Sequence, residues 1–322
     1  MKMLFKLLLG LAFLVILVLL FGPREPVDGE ITFEPGALGD DLDAYLAASE
    51  AAFDDIIPGT EKRIVWAGEP GARTDTVILY LHGFSATSEE IRPVPDQVAA
   101  NLGANLYFAR FTGHGRTGEA MAEARAVDWR NDLAEAMAIG ARLGDRIILM
   151  GTSTGGTLAT LAAADPRMNA GVDAVILVAP NFKVNNALAF VPDLPFARSY
   201  IEVLGGAERQ WEGVNEEHNF YWTTRYPTRA VMPMSATVRA ANALDPRSID
   251  VPVLMIFDPG DEVVRHDRTV EIAEAWGGPT DVVRVSVGPN DDPARHVIAG
   301  DIVSPDMTAP TVAAMTRWIN DL

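Results

Sequence analysis

Cysteine is absent from the 322-residue chain, which removes disulfides, thiolate metal sites, a cysteine nucleophile and a lipidated cysteine together. Histidine is scarce: the five present form neither an H-x-H nor an H-E-x-x-H pair, so a metal-hydrolase signature is missing. Positive charge is in deficit. The 26 Lys and Arg stand against 44 Asp and Glu, a net charge of −18 spread along the chain after residue 27. Such a surface repels phosphate backbones, and nucleic acid is not expected as a partner. Internal repeats are lacking too, and 48% hydrophobic with 22% charged residues is the composition of a chain with a large core.

What is present begins with an apolar leader. Lys2 and Lys6 precede Leu7 to Phe21, a run with no polar side chain, and Leu4 and Phe5 extend it if Lys6 snorkels. The run ends in LLFGPREP, without the small residues a signal peptidase needs. Residues 1–21 therefore read as an uncleaved transmembrane helix, the alternative being a signal peptide that would leave a secreted protein. With Lys2 and Lys6 inside, the remainder faces the outer, periplasmic or extracytoplasmic, side. Residues 22–60 read as a stalk rich in Pro, Gly and acids. It contains one helical pattern, DDLDAYLAASEAAFDD, with Asp40 as candidate cap and Leu42, Tyr45, Leu46 and Phe53 facing the main domain.

From Arg63 onward strand-like runs alternate with helical ones: RIVWAG, TVILYLHG, NLYFARF, RIILMG, AVILVAP, VPVLMIF and VVRVSVG. That alternation predicts an α/β domain over residues 61–322, with a mostly parallel sheet and crossover helices. Residues 181 to about 250 break the rhythm. They carry no clear strand, a helical stretch at Ser235 to Leu244 and the aromatics Trp211, Phe220, Tyr221 and Trp222, which either line an apolar groove or pack the insertion onto the domain. An insertion there would lie over the C-terminal strand ends, where open α/β sheets bind ligands.

The stretch GTSTGG at 151–156 follows the strand IILM and precedes the helical TLATLAAAD. A serine at such a junction is either a simple helix cap or a nucleophile held on a sharp turn, where flanking glycines avoid a backbone clash. Ser153 is the only serine in a G-x-S-x-G context. In the order serine, acid, histidine, His82 and His114 come too early, His218 lies in the insertion, and His266 follows Asp261 too closely. His296, in a loop after the last strand, is left as general base. Asp258, Asp261 and Glu262 compete as the acid after strand VLMIF, with Asp291 and Asp292 beside the histidine as further candidates; the turn Pro259-Gly260 favours Asp261. The main-chain N–H groups of Phe84, after His82-Gly83, and of Thr154 are candidate oxyanion donors. His82 reads as a structural residue, and Gly113-His114-Gly115 as a tight turn.

LHGFSAT, FTGHGRTGEAM, GTSTGG, DPGDEVV and ARHVIAGD stand in the order and rough spacing of the α/β-hydrolase superfamily, and the chain resembles its small carboxylesterases, monoacylglycerol lipases and serine aminopeptidase-like hydrolases. The resemblance covers about residues 61–322. It implies an α/β-hydrolase fold with helices on both faces of the sheet, Ser153 as nucleophile, His296 as base, Asp261 as acid and a cap at about 181–247. Thr154 stands where those enzymes often carry methionine or glutamine, which matters little because only its N–H is used. The expected activity is cleavage of carboxylic esters, small-molecule or lipid, through an acyl-enzyme, with no cofactor. A peptidase, an acyltransferase and a non-catalytic binding scaffold are the alternatives.

Overall fold

The computed structural model describes residues 2–322. The strand-like runs form one seven-stranded sheet from β1 (Arg63–Val65), β2 (Thr74–Leu81), β3 (Asn105–Phe108), β4 (Gly144–Thr152), β5 (Val172–Val178), β8 (Val253–Phe257) and β9 (Thr280–Arg284). Its order is β1-β3-β2-β4-β5-β8-β9, and every pair is parallel except β1 with β3. A continuous apolar run in a strand divides between two faces because successive side chains alternate. Leu79, Leu81, Leu149, Val175, Leu177 and Met255 join the core beneath helices Ala126–Leu143 and Thr154–Ala164. Ile78, Tyr80, Ile148, Met150, Ile176 and Ile256 pack instead with Val98, Val312 and Met315 of helices Val94–Leu102 and Pro305–Asn320. Helices thus cover both faces, the arrangement of the α/β-hydrolase fold.

Four local expectations are corrected. The stalk helix is Leu42–Glu50 and its cap is Asp41, not Asp40: the Asp41 carboxylate accepts the Ala44 N–H at 3.0 Å. Phe53 falls beyond that helix, where Arg116 stacks on its ring at 4.1 Å. The last strand stops at Arg284 because its neighbour β8 turns away after Phe257. Only Val285 N–H still reaches the Phe257 carbonyl, and Val287 N–H is taken by the Asp258 carboxylate at 2.9 Å. The insertion does hold strands, β6 (Glu208–Gln210) and β7 (Arg225–Pro227), a short antiparallel pair. Their sequences, ERQ and RYP, lack the apolar alternation that announces a strand.

The stalk helix sits on the domain through Leu42 and Leu46, both in the core, and through a buried ion pair. Glu50 accepts both Nε and Nη2 of Arg110 at 2.7 and 2.8 Å, and Lys62, 3.8 Å from the Glu50 carboxylate, links the pair to Glu135 at 3.0 Å. Arg110 also donates to the His114 carbonyl at 3.1 Å, so the stalk is tied to the loop that follows β3. Helix Lys2–Phe21, 20 residues long with no buried side chain, precedes all of this. At 1.5 Å per residue it reaches about 30 Å, the thickness of a bilayer's hydrocarbon core.

Candidate active site

Ser153 follows β4 with φ +52° and ψ −117°, a conformation that costs a non-glycine residue of order 1–3 kcal/mol. The glycines around it explain how the turn closes. A Cβ on Gly151 would stand 2.4 Å from the Gly155 carbonyl oxygen, and one on Gly155 would stand 1.9 Å from that of Leu81. Only hydrogen fits at either place, so β4, the turn and the end of β2 are pressed together with Ser153 at the crest. The serine makes no capping bond to helix Thr154–Ala164, which disposes of the simple-cap alternative.

His296 Nε2 lies 2.9 Å from Ser153 Oγ, and His296 Nδ1 lies 2.7 Å from Asp261 Oδ2. All three side chains are buried. The other oxygen of Asp261 accepts the N–H groups of Val263 and Val264 at 2.7 and 2.8 Å, which fixes the carboxylate before it meets the imidazole. A proton on Nδ1 facing Asp261 leaves the Nε2 lone pair for the serine hydroxyl. Burial opposes charge on His296, but the adjoining Asp261 carboxylate, with Glu90 and Asp292, outweighs it and holds the imidazole pKa above its ordinary value.

The competing acids have other partners. Asp258 accepts Gly260 N–H at 2.7 Å and Val287 N–H at 2.9 Å, so it shapes the turn that aims Asp261 and ties it to the strand leading to the histidine loop. Glu262 is exposed and makes no side-chain hydrogen bond among the described residues. Asp292 accepts the backbone N–H groups of His296 and Val297 at 3.0 and 2.8 Å, and Asp291 takes that of Gly288 at 2.7 Å; both carboxylates brace the loop.

The Thr154 amide opens a helix and has no acceptor inside it. Gly83 closes on the serine from the other side: a Cβ there would lie 3.2 Å from Ser153 Cβ, which brings the next amide, that of Phe84, to the same crest. His82 donates Nδ1–H to the Gly83 carbonyl at 2.9 Å and accepts Phe111 N–H at 3.1 Å. Burial pushes its pKa down to about 4, so it is a neutral brace. His114 sits in a turn between Gly113 and Gly115, both at positive φ, 4.9 Å from the His82 ring and 5.3 Å from that of Trp129. Trp222 is buried and lies edge-on to His218 at 4.4 Å; of the insertion's aromatics it serves packing, whereas Phe220 is exposed.

One group at the site carries no signal in the sequence. Glu90 is buried, and its Oε2 accepts Gly83 N–H at 2.7 Å and the Tyr80 hydroxyl at 3.0 Å, while that hydroxyl also meets Thr152 Oγ1 at 3.1 Å. Burial pushes its carboxyl up to about 7, against the two hydrogen bonds that lower it. The stretch SEEIRP looks like a solvated turn, and no spacing marks the second glutamate as an inward one. A cleft of about 1160 Å³ is lined among others by Phe182, Asn185, Leu188, Met234 and Val238; none of Ser153, Asp261 and His296 lines it. Met121, Tyr226 and Val231 form a buried apolar group against which Phe84 and Met234 pack. Among the described residues no cluster of three His, Asp or Glu is placed to share a metal ion.

Residues 72–285, more than half of the chain, match the family Hydrolase_4, described as serine aminopeptidase, S33; the match takes in Ser153 and Asp261 and ends before His296. No curated protein matches the sequence. Among the solved structures that share the fold are the following three. One, from work on LipS and LipT, two metagenome-derived lipolytic enzymes, has a TM-score of 0.66 and 21% identity over 83% of this chain and 100% of that one. A soluble variant of monoglyceride lipase from Saccharomyces cerevisiae has a TM-score of 0.61 and 12% identity over 92% and 98%. The monoacylglycerol lipase of Paleococcus ferrophilus has 0.59 and 14% over 80% and 97%.

Proposed function

The chain belongs to the Hydrolase_4 family of α/β-hydrolases, and from that premise we propose that it is a serine hydrolase of carboxylic esters, working through an acyl-enzyme on Ser153. The observation that carries the reading is the continuous relay of 2.9 and 2.7 Å from Ser153 through His296 to Asp261. Ser153 Oγ attacks the ester carbonyl carbon as its proton passes to His296 Nε2, and Asp261 stabilises the imidazolium. The carbonyl oxygen, now negative, is received by the amides of Phe84 and Thr154. Collapse of the tetrahedral intermediate breaks the bond to the alkoxy group, which leaves with the proton from His296. Water then repeats the sequence on the acyl-serine, releasing the acid and restoring the hydroxyl.

Ester rather than aminoacyl amide is supported by what surrounds Phe84. The side chains packed around Phe84, namely Met121, Tyr226, Val231 and Met234, are uncharged and offer a substrate ammonium no counter-ion, and Glu90, a buried carboxylate next to the oxyanion loop, is turned onto Gly83. Residues 1–21 serve as a membrane anchor in this reading, residues 22–60 as a stalk and 181–247 as a cap over a domain of 61–322, on the outer side of a membrane, within reach of lipid esters. Labelling of Ser153 by a fluorophosphonate separates an enzyme from a binding scaffold. Turnover of a graded panel of acyl esters beside aminoacyl amides then separates esterase from peptidase; amides cleaved faster than every ester would replace the ester reading.

A further inference from the structure

The chain leaving helix Lys2–Phe21 does not run out as a loose tether. Gly22 lies so close to the insertion that a Cβ on it would stand 2.6 Å from Pro195 Cβ. The Pro23 carbonyl accepts Phe196 N–H at 2.8 Å, and Arg24 donates Nε–H to the Asp193 carbonyl at 2.9 Å. Glu25 is buried. Its carboxylate accepts Nε and Nη2 of Arg198 at 2.7 and 3.0 Å, with Arg125 Nε at 3.4 Å. Its carbonyl accepts Arg239 Nη2 at 2.6 Å, and Arg239 also pairs with the Asp193 carboxylate. Four consecutive residues, 22–25, are thereby clamped onto segment 193–198.

The same part of the insertion carries large apolar side chains with nothing over them. Leu188, Phe190, Phe196, Val203 and Leu204 are 50 to 83% exposed. Helix Ala197–Gly205 turns Ala197 and Ile201 inward and presents Val203 and Leu204 outward. Phe196 is held at φ +61°, an unfavourable backbone for so large a residue, by the bond to Pro23, and its ring is left outside. Exposed apolar groups gathered on one rim mark an interaction surface.

We propose that this rim is a bilayer-docking surface, and that the Glu25 clamp fixes it in register with the membrane helix, so that the anchor orients the domain as well as retaining it. The inference rests on the reading of residues 1–21 as an anchor. Continuity identifies the occupant: Phe196 touches Gly22, one residue beyond the apolar helix, and therefore lies at the level where a spanning helix leaves the hydrocarbon. Charge agrees with it, since a chain at −18 gains nothing from anionic headgroups and must dock by apolar contact. Docking is accordingly undiminished on neutral lipid.

The absence of cysteine makes the test clean. Full-length Phe196→Cys, Leu204→Cys and, on the outer strand β1, Val65→Cys are each labelled with an environment-sensitive fluorophore and reconstituted into phosphatidylcholine vesicles, with and without nitroxide-bearing lipid. Labels at 196 and 204 are expected to shift to the blue and to lose more than half of their emission to the nitroxide, while the label at 65 does not respond. Adding Glu25→Gln should at least halve that quenching without releasing the protein from the vesicles. Labels at 196 and 204 that behave like the one at 65, in protein that resists carbonate extraction, overturn the docking surface and leave the anchor standing. Extraction by carbonate overturns the anchor reading itself. Shielding that rises with the protein-to-lipid ratio and ignores the nitroxide assigns the rim to a second copy of the chain instead, and full quenching in Glu25→Gln removes the clamp from the proposal.

Discussion

Replacing Glu90 by glutamine should change both the stability profile and the activity profile with pH, in directions the structure fixes. The carboxyl titrates near 4.5 when exposed and at about 7 in its buried place. Between those values the unfolded chain has released the proton that the folded chain still holds. Stability therefore falls as pH rises through the window, by about 1.4 kcal/mol per unit and roughly 3 kcal/mol in all, and stays at that level above pH 7. Glutamine keeps an oxygen for Gly83 N–H but cannot ionise, so the stability of Glu90→Gln relative to the parent should improve by about 3 kcal/mol between pH 4.5 and pH 8. Losing a negative charge that favours protonated His296 should also move the acid limb of kcat/KM to lower pH. Glu90→Ala strands Gly83 N–H, at about 1–3 kcal/mol, and leaves the Tyr80 hydroxyl to Thr152 Oγ1 alone. If the loop then releases the Phe84 amide proposed as an oxyanion donor, kcat falls by roughly 10²- to 10³-fold. Denaturant titrations and pH-stat hydrolysis of one ester by detergent-solubilised protein, from pH 5 to 8, measure all of this. Parallel stability curves for parent and Glu90→Gln would refute the titration argument, and parental kcat in Glu90→Ala would refute the positioning role.

Ser153→Ala should lose activity by a factor of order 10⁶ in kcat while keeping its melting temperature, read by ester turnover and calorimetry on the same preparation. Asp261→Asn should drop kcat by roughly 10⁴ through the wrong imidazole tautomer, whereas Asp258→Asn, which weakens backbone ties to Gly260 and Val287 and touches neither Ser153 nor His296, should fall chiefly in stability; kinetics of both on one ester at one pH decide. Trp222→Ala should lower stability by about 3–5 kcal/mol and leave the ratio of kcat/KM for long over short acyl esters unchanged; an altered ratio would put that ring in the acyl groove. Glu50→Ala leaves Arg110 buried without its partner, and a loss of about 3–5 kcal/mol should appear in denaturant unfolding.

The sheet was legible because its central strands β2, β4, β5 and β8 each hold an apolar run of four or more residues, VILYL, IILM, AVILV and VLMIF, and burial on both faces demands that pattern. The serine turn was legible for a related reason: glycine at 151 and 155 is a steric requirement, visible in the sequence as a spacing. Choosing Asp261 over Asp258 rested on one turn, and the structure gives the two carboxylates the separate partners that turn implied. Glu90 stayed hidden because its role depends on Gly83 and Tyr80 approaching it in space, which no local pattern records. The β6–β7 pair was missed for the opposite reason: its side chains face solvent, and no hydrophobic period is needed to hold it. The clamp at Glu25 was equally invisible, since its partners are separated from it by up to 214 residues.

That separation has a consequence in time. At about 5–20 residues per second, Arg239 leaves the ribosome roughly 10–40 s after Glu25. For that interval residues 22–25 have no cap to grip. With residues 1–21 as the proposed anchor, that segment is committed to its bilayer before the domain exists, and the domain folds while free to swing about Gly22. Closing the clamp is among the last events, when insertion of residues 1–21 can no longer be altered by it. Damage to Glu25, Arg198 or Arg239 should therefore yield correctly inserted, active protein that sits at the wrong angle, and not protein that fails to reach the membrane.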